Sequence, residues 1–191
     1  ISFGCTTNGS ALVRGIELEF SLFPIPEFAI IGNFNILDAR VDNHRIKDPL
    51  EGTFLPGTTI RNPKNAFQQD LSGNVLPRSP RYNLSLLARY DIRTSMLGLP
   101  DWGTITPQVQ YQYQGKTYFR IFNKPVNSQG RTTNINLRLS WRSNDSRWSL
   151  EGFVNNVTDA DIINFMSVGR SNTLTSYNLP RWIGLRVGYS Y

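Results

Sequence analysis

The single histidine of the chain, His44, is the residue on which a Ser-His-Asp triad or a histidine-metal site would have to depend. The acids nearest to it are Asp42 and Asp48, and no cysteine or second histidine stands at ligand spacing. The sequence also contains no glycine-rich phosphate loop and no aspartate-rich calcium loop. We therefore expect a protein that is not an enzyme and that binds no cofactor or metal.

A second set of polar residues recurs at every second position of the sequence. Across residues 104–114 every second residue is polar, and the residues between them are apolar or aromatic. A period of two places these two sets on opposite faces of a β-strand. Residues 182–191 alternate in the same way, with Ile183 and Leu185 on the apolar side. Polar groups are therefore presented on one face of each strand.

Seven segments alternate well enough to predict strands of roughly 10–13 residues, close to the 9–11 residues with which a tilted strand crosses a bilayer. No run of about eighteen apolar residues could form a spanning helix. The charged fraction of 18% is low for a soluble domain, and the net charge of +6 is not gathered into a block that would favour nucleic acid. The strands lie at about residues 11–23, 28–40, 82–92, 104–114, 132–142, 147–157 and 181–191.

The connections between these strands alternate in length. Three are short, at residues 24–27, 94–102 and 143–146, and three are long, at residues 41–80, 116–131 and 158–178. Short periplasmic turns and long outer loops characterise bacterial outer-membrane barrels. Counting strands back from Tyr191, this pattern predicts a periplasmic C-terminus. The predicted fold is therefore all-β, an antiparallel transmembrane β-barrel segment.

Residues 1–3 have the pattern of a strand stub and are neither a start methionine nor the opening of a signal peptide. Barrels of a single bacterial chain generally have an even number of strands and close on themselves. About seven full strands plus a stub are better explained as one arc of a larger barrel. We therefore expect a fragment that lacks its N-terminal part.

Aromatic residues on the apolar parity predict contact with the membrane interface. Trp141, Trp148, Tyr189 and Tyr191 share that parity, and amphipathic rings settle at headgroup depth. Trp182 has the opposite parity, so we expect it above the bilayer or against material inside the barrel.

Five segments resemble, in order, motifs of the C-terminal barrel of the TonB-dependent outer-membrane receptors. Each motif is short, but together they extend across nearly the whole chain. The five segments are VRGIELEF at 13–20, GNFNILDA at 32–39, PRYNL at 80–84, GFVNNVTD at 152–159 and PRWIGLRVGYSY at 180–191.

The resemblance implies a 22-stranded barrel of which residues 1–191 are the C-terminal portion, with the plug domain and the TonB box absent from this chain. It implies a protein of the bacterial outer membrane that imports a scarce nutrient such as a ferric siderophore, driven by the TonB complex. The fragment alone would be inactive. The implied partners are outer-membrane lipid and lipopolysaccharide, the plug, the TonB complex, the small-molecule nutrient and the barrel-assembly machinery. That machinery would recognise Tyr189 and Tyr191, and no nucleic acid is expected.

In that architecture the polar parity faces the barrel lumen, and the three long loops at 41–80, 116–131 and 158–178 are the candidate substrate-binding segments. Cations in the first of them could steer an anionic ferric complex or lipopolysaccharide phosphate to the protein. Such charges more commonly keep a long loop solvated. The lumen-facing positions are Gln108, Gln110, Gln112, Arg138, Glu151 and Arg186.

Two other functions compete with transport. A small complete outer-membrane barrel with a structural or adhesion role would need residues 1–10 to form a closing strand, and residues 4–10 lack the pattern. A soluble β-sandwich that binds carbohydrate through its tryptophans would show shorter strands, with turn signals every 8–12 residues.

Overall fold

The computed structural model describes residues 8–52, 58–60, 68–169 and 172–191. Seven long strands, each paired with the next of them along the chain, form one antiparallel sheet, to which the two-residue strand Ile92–Arg93 adds at one edge of the fourth. This sheet, called the wall below, confirms the predicted all-β antiparallel fold. Its strands are β1 (Ser10–Ile25), β2 (Phe28–Asn43), β3 (Tyr82–Tyr90), β4 (Gly103–Gln114), β5 (Thr132–Ser143), β6 (Trp148–Asn155) and β7 (Trp182–Tyr189). The predicted stub at residues 1–3 lies outside the described residues.

The strand ends differ from the prediction in both directions. β1 and β2 each have 16 residues, because their pairing continues to Ile25 and Phe28 at the short turn and out to Asn43 at the other end. β6 and β7 have 8 residues each. β6 ends before Asn156, whose φ of 51° turns the chain out of the extended conformation.

One face of the wall is apolar from its first strand to its last. The register brings one apolar residue of every strand into a single row across the sheet. Within the described residues this face stays uncovered, and Ile183 is 75% exposed. An apolar sheet face of this extent requires apolar surroundings. The row consists of Leu22, Ile30, Ala88, Val109, Leu137, Val154 and Ile183.

Pro107 lies inside β4, where proline cannot donate a ladder hydrogen bond. Pairing between β3 and β4 stops at Gln108 and resumes only at Ile105, which pairs with the short strand Ile92–Arg93. Pro107 therefore occupies an interruption of the ladder at the short-turn end of its strand. This interruption accounts for a residue that strict alternation alone did not explain.

The connections alternate in length as predicted, and the meander places the three long loops at one end of the wall. The first loop (residues 44–81) contains the short strands Arg45–Ile46 and Gln69–Asp70. The second (115–131) contains Thr117–Tyr118, Ser128–Gln129 and the 3₁₀ helix Pro125–Asn127, and the third (156–181) contains Ile163–Val168 and Thr173–Tyr177. At the other end, the connection after Ile92–Arg93 contains the 3₁₀ helix Thr94–Leu97. No helix within the described ranges is long and apolar enough to cross a membrane.

Candidate functional site: the polar face and the packed loops

The polar face of the wall carries its side chains in paired groups. Glu151 of β6 lies between two cations, 3.4 Å from Arg138 Nη1 and 3.1 Å from Arg186 Nη1. Asn136 donates to Gln110 at 3.2 Å, next to this charged group along the face. The wall therefore satisfies much of its own polarity, which suits a hydrated interior surface.

The six predicted lumen positions share this one face of the sheet. Gln108 stands in register between Arg89 and Arg138. Gln112 accepts a hydrogen bond from Asn134 at 3.2 Å. The structure thus brings the predicted positions together on one face, and their contact with a lumen or a ligand stays a prediction.

A cavity of about 360 Å³ lies between the polar face and the third loop. Most of the polar side chains that line this cavity are neutral amides. Asn134 is one of them, and its Oδ1 is buried without a hydrogen-bond partner within the described part of the chain. A buried acceptor without a donor is costly, so a donor from a water or a ligand would be favourable here. The amides are those of Asn33, Asn83, Gln112, Gln114, Asn134, Asn164 and Asn178.

Trp182 lies on the polar face, as its parity predicted, but its partner belongs to the wall itself. Its ring meets that of Phe153 edge to face, with centroids 4.9 Å apart. The Phe153 ring covers Gly184, where an added Cβ would lie 2.2 Å from the Phe153 ring carbon Cζ. A glycine at this position therefore makes room for the aromatic pair.

The aromatic residues predicted at the membrane interface gather at the short-turn end of the apolar face. Trp148 and Tyr189 pair in register, with ring centroids 4.7 Å apart. Trp141 lies beside Leu150 on the same face. Tyr191 follows the end of β7 and is fully exposed. Their position relative to a bilayer remains a prediction.

The first and second long loops meet around the carboxylate of Asp48. This side chain is completely buried, and the two Arg120 nitrogens Nη2 and Nη1 donate to its two oxygens at 2.7 and 3.3 Å. Lys124 Nζ donates to Oδ2 at 2.8 Å and also contacts Glu51. Two carboxylates and two cations therefore form a charge-balanced cluster, with Asp48 and Glu51 from the first loop and Arg120 and Lys124 from the second.

The environment of this cluster shifts two pKa values in the direction that keeps it ionised. Burial raises the pKa of Asp48, but hydrogen bonds from Arg120, Lys124 and the Leu50 amide outweigh burial and bring it below its ordinary 3.8. Burial lowers the pKa of Lys124, and the hydrogen bonds to Asp48 and Glu51 raise it above its ordinary 10.5. Both groups are therefore charged across the physiological pH range.

Hydrogen bonds to backbone groups extend the interface between the same two loops. Asn123 exchanges hydrogen bonds with Val75, accepting from its amide at 2.7 Å and donating to its carbonyl at 2.8 Å. Asn74 donates to the Ile121 carbonyl at 2.9 Å, and the Arg78 amide donates to the Tyr118 carbonyl at 2.8 Å. The two loops therefore contact one another along much of their described length.

The third loop is attached at its base and at its side. Asn156, which is buried, donates to the carbonyls of Ala160 and Leu179 and so joins the two ends of the loop. Gln129 of the second loop donates to the Asp161 carbonyl at 2.7 Å and accepts from the Ile163 amide at 2.9 Å. All three long loops are thus connected in one layer.

Sequence analysis selected the long loops but missed the residues that hold them together. Asp48 entered only as an ordinary acid near His44, and Arg120 and Asn123 not at all, because side chains that meet across loops carry no periodic signal. Asn156 belongs to the GFVNNVTD segment, so its motif could have indicated a structural role. Within the described ranges no group of three or more His, Cys, Asp or Glu residues could hold a metal ion.

This sheet and its loops correspond to a known class of outer-membrane protein. The family model described as "TonB dependent receptor-like, beta-barrel" matches residues 2–157, which is more than half of the chain. The chain therefore belongs to that family of bacterial outer-membrane receptors. No curated protein sequence matches the chain.

Solved structures of the same kind share the fold. The ferric yersiniabactin uptake receptor FyuA from Yersinia pestis superposes with a TM-score of 0.72 at 19% identity, over 96% of this chain and 24% of that one. The siderophore receptor PiuA from Acinetobacter baumannii gives 0.66 at 18% identity, over 96% and 22%. The ferripyoverdine receptor of Pseudomonas aeruginosa gives 0.59 at 20% identity, over 94% and 19%. The chain thus spans about a quarter or less of the length of these relatives.

Proposed function

We propose that the protein to which this chain belongs is a TonB-dependent receptor that imports a ferric siderophore across the bacterial outer membrane. The chain is its C-terminal barrel portion and forms part of the barrel wall, with the plug domain and TonB box supplied by the N-terminal part. The observation that carries the proposal is the family match to an amphipathic meander whose long loops gather at one end. The siderophore receptors among the structural relatives support the substrate class.

The two faces of the wall have different partners in this proposal. The apolar face contacts outer-membrane lipid, with Trp148 and Tyr189 at the headgroup level. The polar face, including Gln108 and the Glu151 group, lines the lumen and meets the plug. This assignment is supported by the exposed apolar row and by the pairing of polar groups on the opposite face.

The orientation in the membrane follows from the lengths of the connections. Long loops face the outside, where they meet the nutrient and lipopolysaccharide, and short turns face the periplasm together with the C-terminus. Tyr189 and Tyr191 form the signal that the barrel-assembly machinery recognises. The aromatic side chains on the apolar face beside the short turns support this assignment.

Uptake of radioactive iron tests the transport function. The full-length receptor would be produced in iron-starved cells that lack their own siderophore receptors, and the cells offered ferric hydroxamate, catecholate and phenolate siderophores in turn. We expect saturable uptake of at least one complex, and no uptake in an otherwise identical strain without TonB.

Two results would contradict the proposal. Uptake that persists without TonB would exclude the energy coupling typical of the family. Absence of uptake for every ferric complex, from a receptor shown to be folded in the outer membrane, would exclude the siderophore class. A transported substrate of another chemistry would then have to be sought.

A further inference from the structure

We propose that Asp48 is a positioning residue that joins the first and second long loops into one preassembled unit, so that the two loops change conformation together. The inference goes beyond transport itself and concerns how the candidate ligand-binding loops are controlled. Only its consequence for uptake rests on the proposed function.

The geometry of Asp48 is that of a central anchor rather than of a surface ion pair. Its side chain has no exposed area, whereas those of Arg120 and Lys124 are 16% and 33% exposed. Both of its oxygens receive charged donors from the second loop. Its Oδ1 also accepts from the Leu50 amide at 3.0 Å, which fixes the carboxylate within the first loop.

The anchored segment of the second loop is half-buried and carries two cations and an aromatic ring. The Arg120 guanidinium stacks over the Phe122 ring at 4.9 Å while it binds Asp48. Lys124 stands 6.0 Å from the same ring. Asp48 therefore sets the position of two cations and one aromatic ring on a different loop.

The reciprocal contacts of Asn123 and Val75 make the coupling mutual. Loss of Asp48 frees Arg120 and leaves Lys124 with Glu51 alone, so the Asn123–Val75 hydrogen bonds lose the ionic contact beside them. A ligand that displaces either loop must also displace the other or break this cluster. The coupling is a property of the protein alone and needs no ligand to be detected.

Hydrogen-exchange mass spectrometry on the full-length receptor in detergent, without ligand, tests the coupling. Asp48→Asn keeps the side-chain shape and removes the charge. We expect exchange across residues 116–131 to accelerate at least tenfold, although no residue of that segment is changed. The reciprocal variant Arg120→Met should accelerate exchange across residues 44–52.

A matched control comes from Asp70, an exposed carboxylate of the same loop that pairs with exposed Arg45. Asp70→Asn should leave exchange in the second loop within twofold of the wild type. Amides of the wall strands serve as an internal reference for global unfolding. If Asp48→Asn does not fold, the milder Arg120→Lys, which keeps the charge but loses the two-pronged contact, decides the question.

Two results would overturn the proposal. One is that Asp48→Asn and Arg120→Met each accelerate exchange only in the loop that carries the substitution. The other is that Asp70→Asn accelerates exchange in the second loop as much as Asp48→Asn does. Because no ligand is present, these results are independent of the uptake experiment. A receptor that transports nothing could still show coupled loops, and a working transporter could lack them.

Discussion

A charge placed on either face of β5 distinguishes lipid contact from lumen contact. Leu139 and Ser140 are neighbours in that strand, with side chains on opposite faces. Leu139 is 55% exposed on the apolar face and lies between Pro107 and Gly152. Ser140 pairs in register with Thr106 and Glu151 on the polar face. Leu139→Arg and Ser140→Arg therefore introduce the same group into the two proposed environments.

The expected cost follows from the depth of the residue. β5 runs from Thr132 to Ser143, so its midpoint is at position 137.5 and Leu139 lies 1.5 residues away. At about 3.4 Å per residue and a tilt of about 40°, this is roughly 4 Å from the midplane. Arginine on the lipid face costs about 2–4 kcal/mol at the midplane and less towards the interface. We expect Leu139→Arg to destabilise by about 2–3 kcal/mol, a factor of about 30–150 in the folding equilibrium.

Ser140→Arg should change stability by no more than about 0.5 kcal/mol, because the polar face is hydrated and a charge there stays in contact with water. The measurement is denaturant titration of the full-length receptor refolded into phosphatidylcholine vesicles, followed by tryptophan fluorescence. Equal costs for the two variants, or a larger cost for Ser140→Arg, would refute the assignment of the two faces.

Three further predictions concern single residues. Gly103→Ala should lower stability by about 1–3 kcal/mol in the same titration, because φ is 145° and the new Cβ would lie 2.0 Å from the Arg142 carbonyl oxygen. Asn156→Ala should cost about 1–3 kcal/mol, since the part-buried hydrogen bonds from Asn156 to the Ala160 and Leu179 carbonyls are lost, and should accelerate limited proteolysis within residues 158–178. The free energy of unfolding should differ between wild type and Asp48→Asn by a constant amount from pH 7 to 5, and this difference should shrink below pH 3.8. The reason is that the Asp48 carboxylate is protonated near pH 3.8 in the unfolded chain but only at lower pH in the folded one.

The wall could be predicted because residues close together in the sequence determine each of its strands. Alternation within residues 104–114 assigns both the strand and its two faces, and consecutive pairing then follows from short connections. The strand ends were less predictable. β2 continues to Asn43 in register with β1, and the returning loop supports this end of the strand, as in the hydrogen bond from the Leu76 amide to the Ala39 carbonyl. Such support comes from residues distant in sequence.

The loop layer was not predictable from pattern. Asp48 and Arg120 are separated by 72 positions, and neither residue type nor spacing distinguishes them from solvated loop charges. The interpretation of the first loop's basic residues as solvating charges stays a prediction, and it did not include Arg120 of the second loop, whose contact with Asp48 depends on burial. The same holds for Trp182 in the wall. Alternation along the strand predicted the face on which Trp182 lies, but it could not predict its ring contact with Phe153.

The contact between the first two loops has a consequence for how such receptors diversify. In a meander each loop could in principle be exchanged alone, because the strands beneath it pair only with their neighbours. Here a new first loop without a carboxylate at position 48 would leave Arg120 and Lys124 without their buried partner. Selection for a new substrate, or an engineer grafting a loop, would therefore have to replace the two loops as a pair. At this surface the first and second loops would therefore be inherited together rather than singly.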